Sequence, residues 1–230
     1  MNPMKRLSII IPVYNEEKTI GETLQRVINA PLPDYEKEII VVNDGSNDGT
    51  RQMLKNLKTN LGFVLLEHAV NLGKGSAIKT ALKHVTGTAV LIQDADLEYL
   101  PDDYQELLKT FDGHSPVYGS RNLGKAERGH FLFFLGGKLL THLFNLLFGA
   151  HLTDINTGYK LFPTDLIKSI PLESNGFEFC EEITAKVCEL GYTIKEVPIH
   201  YSPRSFSAGK KIRATDGLIA AWAIIKYRFG

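Results

Sequence analysis

Residues 39–50 read Ile-Ile-Val-Val-Asn-Asp-Gly-Ser-Asn-Asp-Gly-Thr, an apolar β-branched run that ends in polar and glycine residues. A continuous apolar run is typical of a parallel strand buried on both faces, and the Asn, Asp and Gly that follow favour a turn. Similar runs occupy residues 7–13, 63–67 and 88–93. The sequence therefore predicts parallel strands that each end in a polar loop.

The segments between these runs have helical periodicity. Apolar residues recur at i, i+4, i+7 and i+8 from Ile20, and a comparable spacing surrounds Met53 and Ile78. Alternating strands and helices predict right-handed βαβ units, and hence an α/β fold with a mostly parallel central sheet flanked by helices. Ligands of such sheets bind at the carboxyl ends of the strands, so the strand-end loops are the candidate site.

Composition excludes several classes of protein. The 230 residues carry 26 Lys and Arg against 26 Asp and Glu, which argues against a nucleic-acid partner. Residues 7–13 are too short for a signal-peptide core. No run reaches the roughly 20 uninterrupted apolar residues of a membrane span, and the nearest, residues 131–148, is interrupted by Lys138, His142 and Asn145. Cys180 and Cys188 lie too far apart along a predicted helix to form a disulfide, which favours the reducing cytoplasm.

An acidic segment follows the fourth run. Residues 94–106 contain six carboxylates, beginning with Asp94-Ala95-Asp96 and Glu98. Asp94 and Asp96 suit an oxygen-preferring ion such as Mg²⁺ or Mn²⁺, which would neutralise a diphosphate. The alternative is a helix N-terminus, the role that we assign to the later acids Asp102, Asp103 and Glu106.

Two other strand-end loops suggest contacts to a nucleotide. Residues 71–75 lack the spacing of a P-loop, so Lys74 either contacts an anion or is a solvated lysine at a helix start. Asp44 is placed to accept hydrogen bonds from a ribose or a base. No Gly-x-Gly-x-x-Gly follows the first strand, which disfavours an NAD enzyme.

Taken together, residues 8–17, 39–50, 71–77 and 93–98 resemble the inverting family 2 glycosyltransferases, which have the GT-A (Rossmann-like) fold. Within that family the chain is similar to the dolichol-phosphate mannosyltransferase group, and the resemblance continues through residues 118–121, 153–162, 177–183 and 197–204. It implies one catalytic domain over residues 1–230. Residues 1–115 would bind the nucleotide sugar, and residues 116–230 would form the acceptor half with C-terminal amphipathic helices.

The resemblance also implies roles for individual residues. Asp96 would bind the metal together with Asp94 and with Glu98, which stands where the mannosyltransferase group commonly has Gln. The nucleotide sugar, GDP-mannose or UDP-glucose, would be bound by Pro12, Tyr14, Glu16, Val42, Asp44, Lys74, Asp94, Ala95 and Asp96.

The expected acceptor is a polyprenyl or dolichyl phosphate, whose oxygen is already ionised and needs no catalytic base. The chemistry then requires a metal and basic residues that hold two anionic partners together. We expect Arg121 and Arg204 to contact phosphate directly, because Arg binds it bidentately. Lys210 and Lys211 either join them or contact solvent and lipid headgroups.

Two apolar segments fit a lipid acceptor. Residues 131–148 form a predicted helix whose polar residues fall in one stripe of Lys138, Thr141, His142 and Asn145. Residues 218–225, with Trp222, suit the same membrane surface. The alternatives are core helices or an oligomer interface. We expect a peripheral protein on the cytoplasmic face of a membrane, and a separate membrane-spanning partner is left open.

Two other functions remain open at this point. A family 2 enzyme acting on a sugar or protein hydroxyl would need a base, for which Asp154 and Glu182 are the candidates. An inactive sugar-nucleotide binding module is the other, although Asp94 and Asp96 are both present.

Overall fold

The structure is a computed structural model, and it describes residues 5–124, 131–204, 211 and 214–230. The first half contains β1 (Lys5–Val13), α1 (Ile20–Asn29), β2 (Tyr35–Asp44), α2 (Thr50–Leu61), β3 (Val64–His68), α3 (Lys74–Leu82) and β4 (Ala89–Ile92). The second half contains α4 (Tyr104–Thr110), β5 (Val117–Ser120), α5 (Phe131–Phe148), β6 (Lys160–Pro163), α6 (Thr164–Ser169), α7 (Phe179–Glu189), β7 (Lys195–Pro198) and α8 (Ala214–Phe229).

Within the described residues the strands form one sheet in the order β3-β2-β1-β4-β6-β5-β7. Strand β1 pairs in parallel with β2 and β4, whereas β6 runs antiparallel to both of its neighbours. The predicted mostly parallel α/β sheet is confirmed. Strand β6 was not predicted, because it has only four residues, starts with a lysine and ends with a proline.

Both faces of the sheet are covered by helices. In β1, Ile9 and Ile11 pack on the side of α1, α2 and α4, whereas Ile10 packs on the side of α3 and α7. Every residue from Leu7 to Ile11 is therefore buried. Burial on both faces is the physical reason why these strands appear in the sequence as continuous apolar runs.

The loop of residues 173–176 packs closely against the start of α3. The amide of Gly75 donates to the carbonyl of Gly176 at 3.3 Å, and the amide of Ser76 donates to that of Asn175 at 3.1 Å. A Cβ at Gly75 would lie 2.5 Å from the carbonyl oxygen of Ser174. Glycine is therefore required here by the approach of two backbones, and the second half of the chain caps this helix.

In helix α5, part of the predicted polar stripe contacts the protein itself. Thr141 is buried and receives a hydrogen bond from the amide of Ile155, while Asn145 bonds both backbone groups of Leu152. Half of the predicted polar stripe therefore faces the protein, because these side chains satisfy the backbone of the following loop. Among the described residues, no helix combines the length and the hydrophobicity that crossing a bilayer requires.

We predict that Gly75→Ala lowers the free energy of unfolding by about 1–3 kcal/mol, because the added methyl forces two packed backbones apart. Chemical denaturation followed by circular dichroism measures this effect. The matched control is Gly136→Ala in α5, where a Cβ would meet nothing within 4 Å. That substitution should leave the stability unchanged or raise it by up to about 1 kcal/mol. Equal effects of the two substitutions would contradict the close approach.

Candidate active site

The candidate site lies where the loops after β1 and β4 meet at the carboxyl edge of the sheet. Asn15 and Leu97 both have positive φ angles, 49° and 62°, in these two loops. Positive φ is uncommon for residues other than glycine and costs conformational energy. The strain therefore falls in the two segments that present the acidic side chains.

Three carboxylates converge on the guanidinium of Arg204. Its Nη1 and Nη2 atoms donate to Glu16 at 2.9 and 3.0 Å, and Nη2 also donates to Asp96 at 3.2 Å. The backbone amide of Arg204 donates to Glu98 at 2.8 Å. Although 188 residues separate Glu16 from Arg204, they form a bidentate pair whose side chains are only 6% and 14% exposed.

Two lysines complete the charge compensation. Lys211 Nζ donates to Glu16 at 2.5 Å and to the carbonyl oxygen of Tyr14. Lys74 Nζ donates to Asp94 Oδ1 at 2.5 Å. The anion contact that was one of the two expectations for Lys74 is thus made to a carboxylate of the protein itself. With these pairs, the four carboxylates of the site face three cations, which leaves one negative charge in excess.

The charged form of Asp96 is disfavoured by its surroundings. Burial, together with the carboxylates of Asp94 and Glu98, raises the pKa of Asp96 to about 7, although Arg204 acts in the opposite direction. Glu98 is held by the hydroxyl of Tyr201, which donates to it at 2.6 Å. A carboxylate crowded by other carboxylates in this way favours a bound cation.

The donor set fits a divalent metal ion in its chemistry. Asp94, Asp96 and Glu98 offer only carboxylate oxygens, which Mg²⁺ and Mn²⁺ prefer. In the part of the chain that the structure describes, no three acidic, His or Cys side chains already form a metal site. Each aspartate bonds a basic side chain instead. Arg204 Nε is buried and has no hydrogen-bond partner among the residues that the structure describes. It is therefore a candidate donor to a ligand oxygen.

The predicted nucleoside residues differ in their surroundings. Pro12 and Tyr14 are partly exposed at the end of β1. Val42 is fully buried in the core, so its side chain offers no surface to a ligand and only its backbone lies at this edge. Asp44 is also buried, and its carboxylate accepts hydrogen bonds from the amides of Leu72 and Gly73 at 2.9 and 2.8 Å.

The predicted phosphate ligand Arg121 has a partner within the protein. Its Nε and Nη2 atoms donate to Asp154 at 2.7 and 2.8 Å, in a pair that is largely buried. Burial raises the pKa of Asp154, but the stronger combined effect of Arg121 lowers it overall. Lys210, the fourth predicted phosphate ligand beside Arg204 and Lys211, lies outside the described residues.

Neither predicted base is free to take a proton from a hydroxyl. Asp154 is engaged by Arg121, as described above. Glu182 is fully buried and accepts hydrogen bonds from the amides of Glu173 and Ser174 at 2.7 Å and from Lys186 at 2.6 Å. Both acids stabilise loops, so the interpretation of either one as a catalytic base is not supported by its contacts.

A group of tyrosines beneath the acidic segment was missed by sequence reasoning. Tyr99 lies against Tyr159 and Tyr201, with ring centroids 4.8 and 5.2 Å apart. The hydroxyls of Tyr104 and Tyr159 donate to Gln93, which directly precedes Asp94. These residues are scattered along the chain without a common motif. The only available signal is the general tendency of tyrosine to occupy sites that are apolar around the ring and polar at the hydroxyl.

Comparison with known proteins gives a consistent family. The family model described as Glycosyl transferase family 2 matches residues 8–168. The chain is 33% identical to a dolichyl-phosphate beta-glucosyltransferase, ALG5A, of Trichomonas vaginalis over 96% of this chain and 72% of that protein. It is 31% identical to the protein MJ1222 of Methanocaldococcus jannaschii over 89% of this chain and 85% of that protein.

Solved structures show the same fold. Glucosyl-3-phosphoglycerate synthase of Mycobacterium tuberculosis, in complex with Mn²⁺, UDP and glucosyl-3-phosphoglycerate, superposes with a TM-score of 0.75 at 18% identity, over 97% of this chain and 80% of that one. Its complex with Mg²⁺ and UDP gives a TM-score of 0.73 at 20% identity, over 97% and 78% of the chains. These likenesses support the fold alone. Because the family model covers more than half of the sequence, the chain belongs to glycosyl transferase family 2.

Proposed function

We propose that this family 2 glycosyltransferase moves a hexose from a nucleotide sugar to a polyprenyl or dolichyl phosphate, with inversion at the anomeric carbon and with the help of Mg²⁺ or Mn²⁺. The observation that carries the proposal is the convergence of Glu16, Asp96 and Glu98 on Arg204, at the ligand-binding edge of the sheet. Such a site suits two phosphate-bearing partners and a divalent ion.

Glucose is favoured over mannose as the transferred sugar. The relative from Trichomonas vaginalis, similar over 96% of this chain, is named as a dolichyl-phosphate beta-glucosyltransferase. Structural neighbours were solved with UDP and Mn²⁺ or Mg²⁺. We therefore propose UDP-glucose as the donor and treat GDP-mannose as the competing one.

At the donor, Asp94, Asp96 and Glu98 would hold the ion, which supplies positive charge to the diphosphate that leaves. Arg204 Nε has no hydrogen-bond partner among the described residues and lies 3.8 Å from Glu98 Oε1, so it would be available to a diphosphate oxygen when Glu98 holds the ion. Pro12, Tyr14, Asp44 and the backbone at Val42 would border the nucleoside. Ala95, which is buried between the two aspartates, would bring its backbone to the sugar diphosphate.

At the acceptor, the attacking group is an ionised phosphate oxygen, so no side chain needs to remove a proton. This agrees with the engagement of Asp154 and Glu182 in loop structure. Lys211 would hold the acceptor phosphate near the donor, and Lys210, the preceding residue in the sequence, is a further candidate. Arg204 would reach this phosphate through Nη2 only where Asp96 exchanges that contact for the metal ion. Arg121 would reach it only with the guanidinium edge that Asp154 leaves free.

The surface formed by α5 and α8 supports a lipid acceptor. The two helices pack together, and each exposes large apolar side chains, including Leu139 at 61% and Trp222 at 66%. The exposed set is Leu135, Leu139, Leu146, Leu218, Ile219, Trp222, Ile225 and Phe229. On each helix these residues recur at helical spacing, as in 135, 139 and 146 and in 218, 222, 225 and 229, so each helix presents an apolar stripe to its surroundings. Exposed apolar stripes with nearby basic residues are typical of helices that bind a membrane interface. We propose that this surface rests on a membrane that carries the acceptor.

We predict that the protein with UDP-glucose, Mn²⁺ and a polyprenyl phosphate forms a lipid-linked hexose, detected by extraction into organic solvent and mass spectrometry. Asp96→Asn should lower kcat at least about a hundredfold, because it weakens charge stabilisation of the leaving diphosphate. EDTA should abolish turnover. The matched control is Asp102→Asn, an exposed acid six residues further on, which should keep wild-type activity.

Other outcomes of this assay discriminate between the functions. Transfer to a sugar or protein hydroxyl, but not to the lipid phosphate, would overturn the proposed acceptor. Transfer from GDP-mannose in preference to UDP-glucose would overturn the proposed sugar. Donor binding without any transfer would indicate an inactive binding module, and undiminished turnover by Asp96→Asn would contradict the assigned metal ligand.

We further predict that the protein floats with vesicles of phosphatidylcholine and phosphatidylglycerol in a density gradient. The double variant Leu139→Glu, Trp222→Glu should lose most of this binding, because two charges would enter the apolar interface. Leu190→Glu, at a leucine that is 56% exposed outside α5 and α8, is the matched control and should bind as the wild type does. Equal binding by all three proteins would rule out this surface as the membrane contact.

A further inference from the structure

The carboxylate of Asp44 is almost fully used within the protein. Its Oδ1 atom accepts hydrogen bonds from His68 Nδ1 at 2.6 Å and from the amide of Leu72 at 2.9 Å. Its Oδ2 atom accepts one from the amide of Gly73 at 2.8 Å. A carboxylate has about four acceptor positions, so three are occupied. The side chain therefore holds the loop of residues 71–73 in place.

His68 has one proton arrangement that satisfies both of its ring nitrogens when it is neutral. Because an ionised carboxylate only accepts, Nδ1 carries the hydrogen that is donated to Asp44. Nε2, 2.9 Å from the hydroxyl oxygen of Thr80, then accepts the hydrogen of that group. The His68 side chain is only 10% exposed. The ring is thus fixed between the end of β2 and the last turn of α3.

The loop held by Asp44 leads directly into the donor site. Lys74 follows Gly73 as the first residue of α3, and it bonds Asp94. On its other side the loop is confined by the second half of the chain, because a Cβ at Gly73 would collide with the carbonyl of Asn175. Gly73 also has a φ of +100°. A small displacement of Asp44 would therefore be passed to Lys74.

We propose that His68 is a positioning residue for the nucleotide sugar, which acts through Asp44 to hold residues 71–74 in the conformation that the donor site requires. This inference rests on the proposed function, since it concerns the donor of that reaction. It assigns to Asp44 a contribution made through the loop, in addition to any contact with the nucleoside. In metal sites, groups that hydrogen-bond the metal ligands fix the orientation of those ligands. We assign the same kind of role to His68 with respect to Asp44.

Two amide substitutions separate the contacts of His68. The Asn amide nitrogen matches the position of Nδ1, so His68→Asn keeps the hydrogen bond to Asp44 and loses Thr80. The Gln amide group reaches the position of Nε2, where its oxygen can accept the hydrogen of the Thr80 hydroxyl, so His68→Gln keeps Thr80 and loses Asp44. His84→Gln, at an exposed histidine just after α3, is the control. Titration calorimetry with UDP and Mn²⁺ measures binding, and steady-state kinetics with UDP-glucose and polyprenyl phosphate measures turnover.

We expect His68→Gln to raise the Kd for UDP and the KM for UDP-glucose about tenfold, the effect of one hydrogen bond to a charged group. Its kcat and its KM for the acceptor should stay within about twofold. His68→Asn and His84→Gln should bind UDP as the wild type does. Thermal unfolding of each variant shows whether a change reflects loss of fold.

The inference is overturned if His68→Gln binds UDP normally, or if His68→Asn is impaired as severely as His68→Gln. It is also overturned if the loss of UDP binding only parallels a loss of folded protein. Failure of the proposed function gives a different result, because the wild-type protein itself would then bind no UDP or transfer no glucose. The two failures are therefore distinguishable in one series of measurements.

Discussion

Burial of several carboxylates at one edge of the sheet is the constraint on which the rest of the site depends. Glu16, Asp94, Asp96 and Glu98 are held where water has little access, and a buried charge without a partner is strongly unfavourable. Compensation comes from bases that lie far along the chain. Arg204 is 108 residues from Asp96, so the segment that carries it must lie across the ends of the strands. The acidic edge thereby organises the chain from residue 14 to residue 211.

Two acids in the second half of the chain are likewise paired within the protein. Asp154 holds Arg121, and Glu182 holds the loop of residues 173–174. Each of these acids accepts hydrogen bonds from at least one backbone amide and from a basic side chain. The acidic edge and its basic partners offer charge stabilisation, which is what the proposed transfer to an already ionised phosphate would require.

One loop connects the exposed helices to the acidic edge of the sheet. Residues 173–176 cap α3, and they also contact α8, where Lys226 bonds Glu173 at 2.9 Å and the hydroxyl of Tyr227 lies 3.1 Å from that of Ser174. The apolar surface of α5 and α8 is therefore joined to the lysine that pairs with Asp94 through a short series of packed contacts. The acidic edge and the exposed helices therefore share structure, although they come from different halves of the sequence.

By itself, the sequence determined the elements with strong local periodicity and the places where they end. The buried strands, the helices between them and the strand-end position of Asp94 and Asp96 followed from patterns of a few residues, and helix α5 begins and ends as predicted. Strand β6 escaped because four residues that include a buried lysine carry too little pattern. Local spacing suffices for these elements because each is formed by residues that are neighbours in the chain.

Only the tertiary structure decided which charged groups are paired. In the structure, Arg204 contacts three carboxylates, and Asp44 accepts hydrogen bonds from His68 and from the loop of residues 71–73. The side chain of Val42 lies in the core. No periodicity encodes such choices, because the partner of a charge depends on which distant segments meet and on how much water they exclude. The residue types at this site could be read from the sequence, but their contacts arise from the packing of the two halves around one sheet edge.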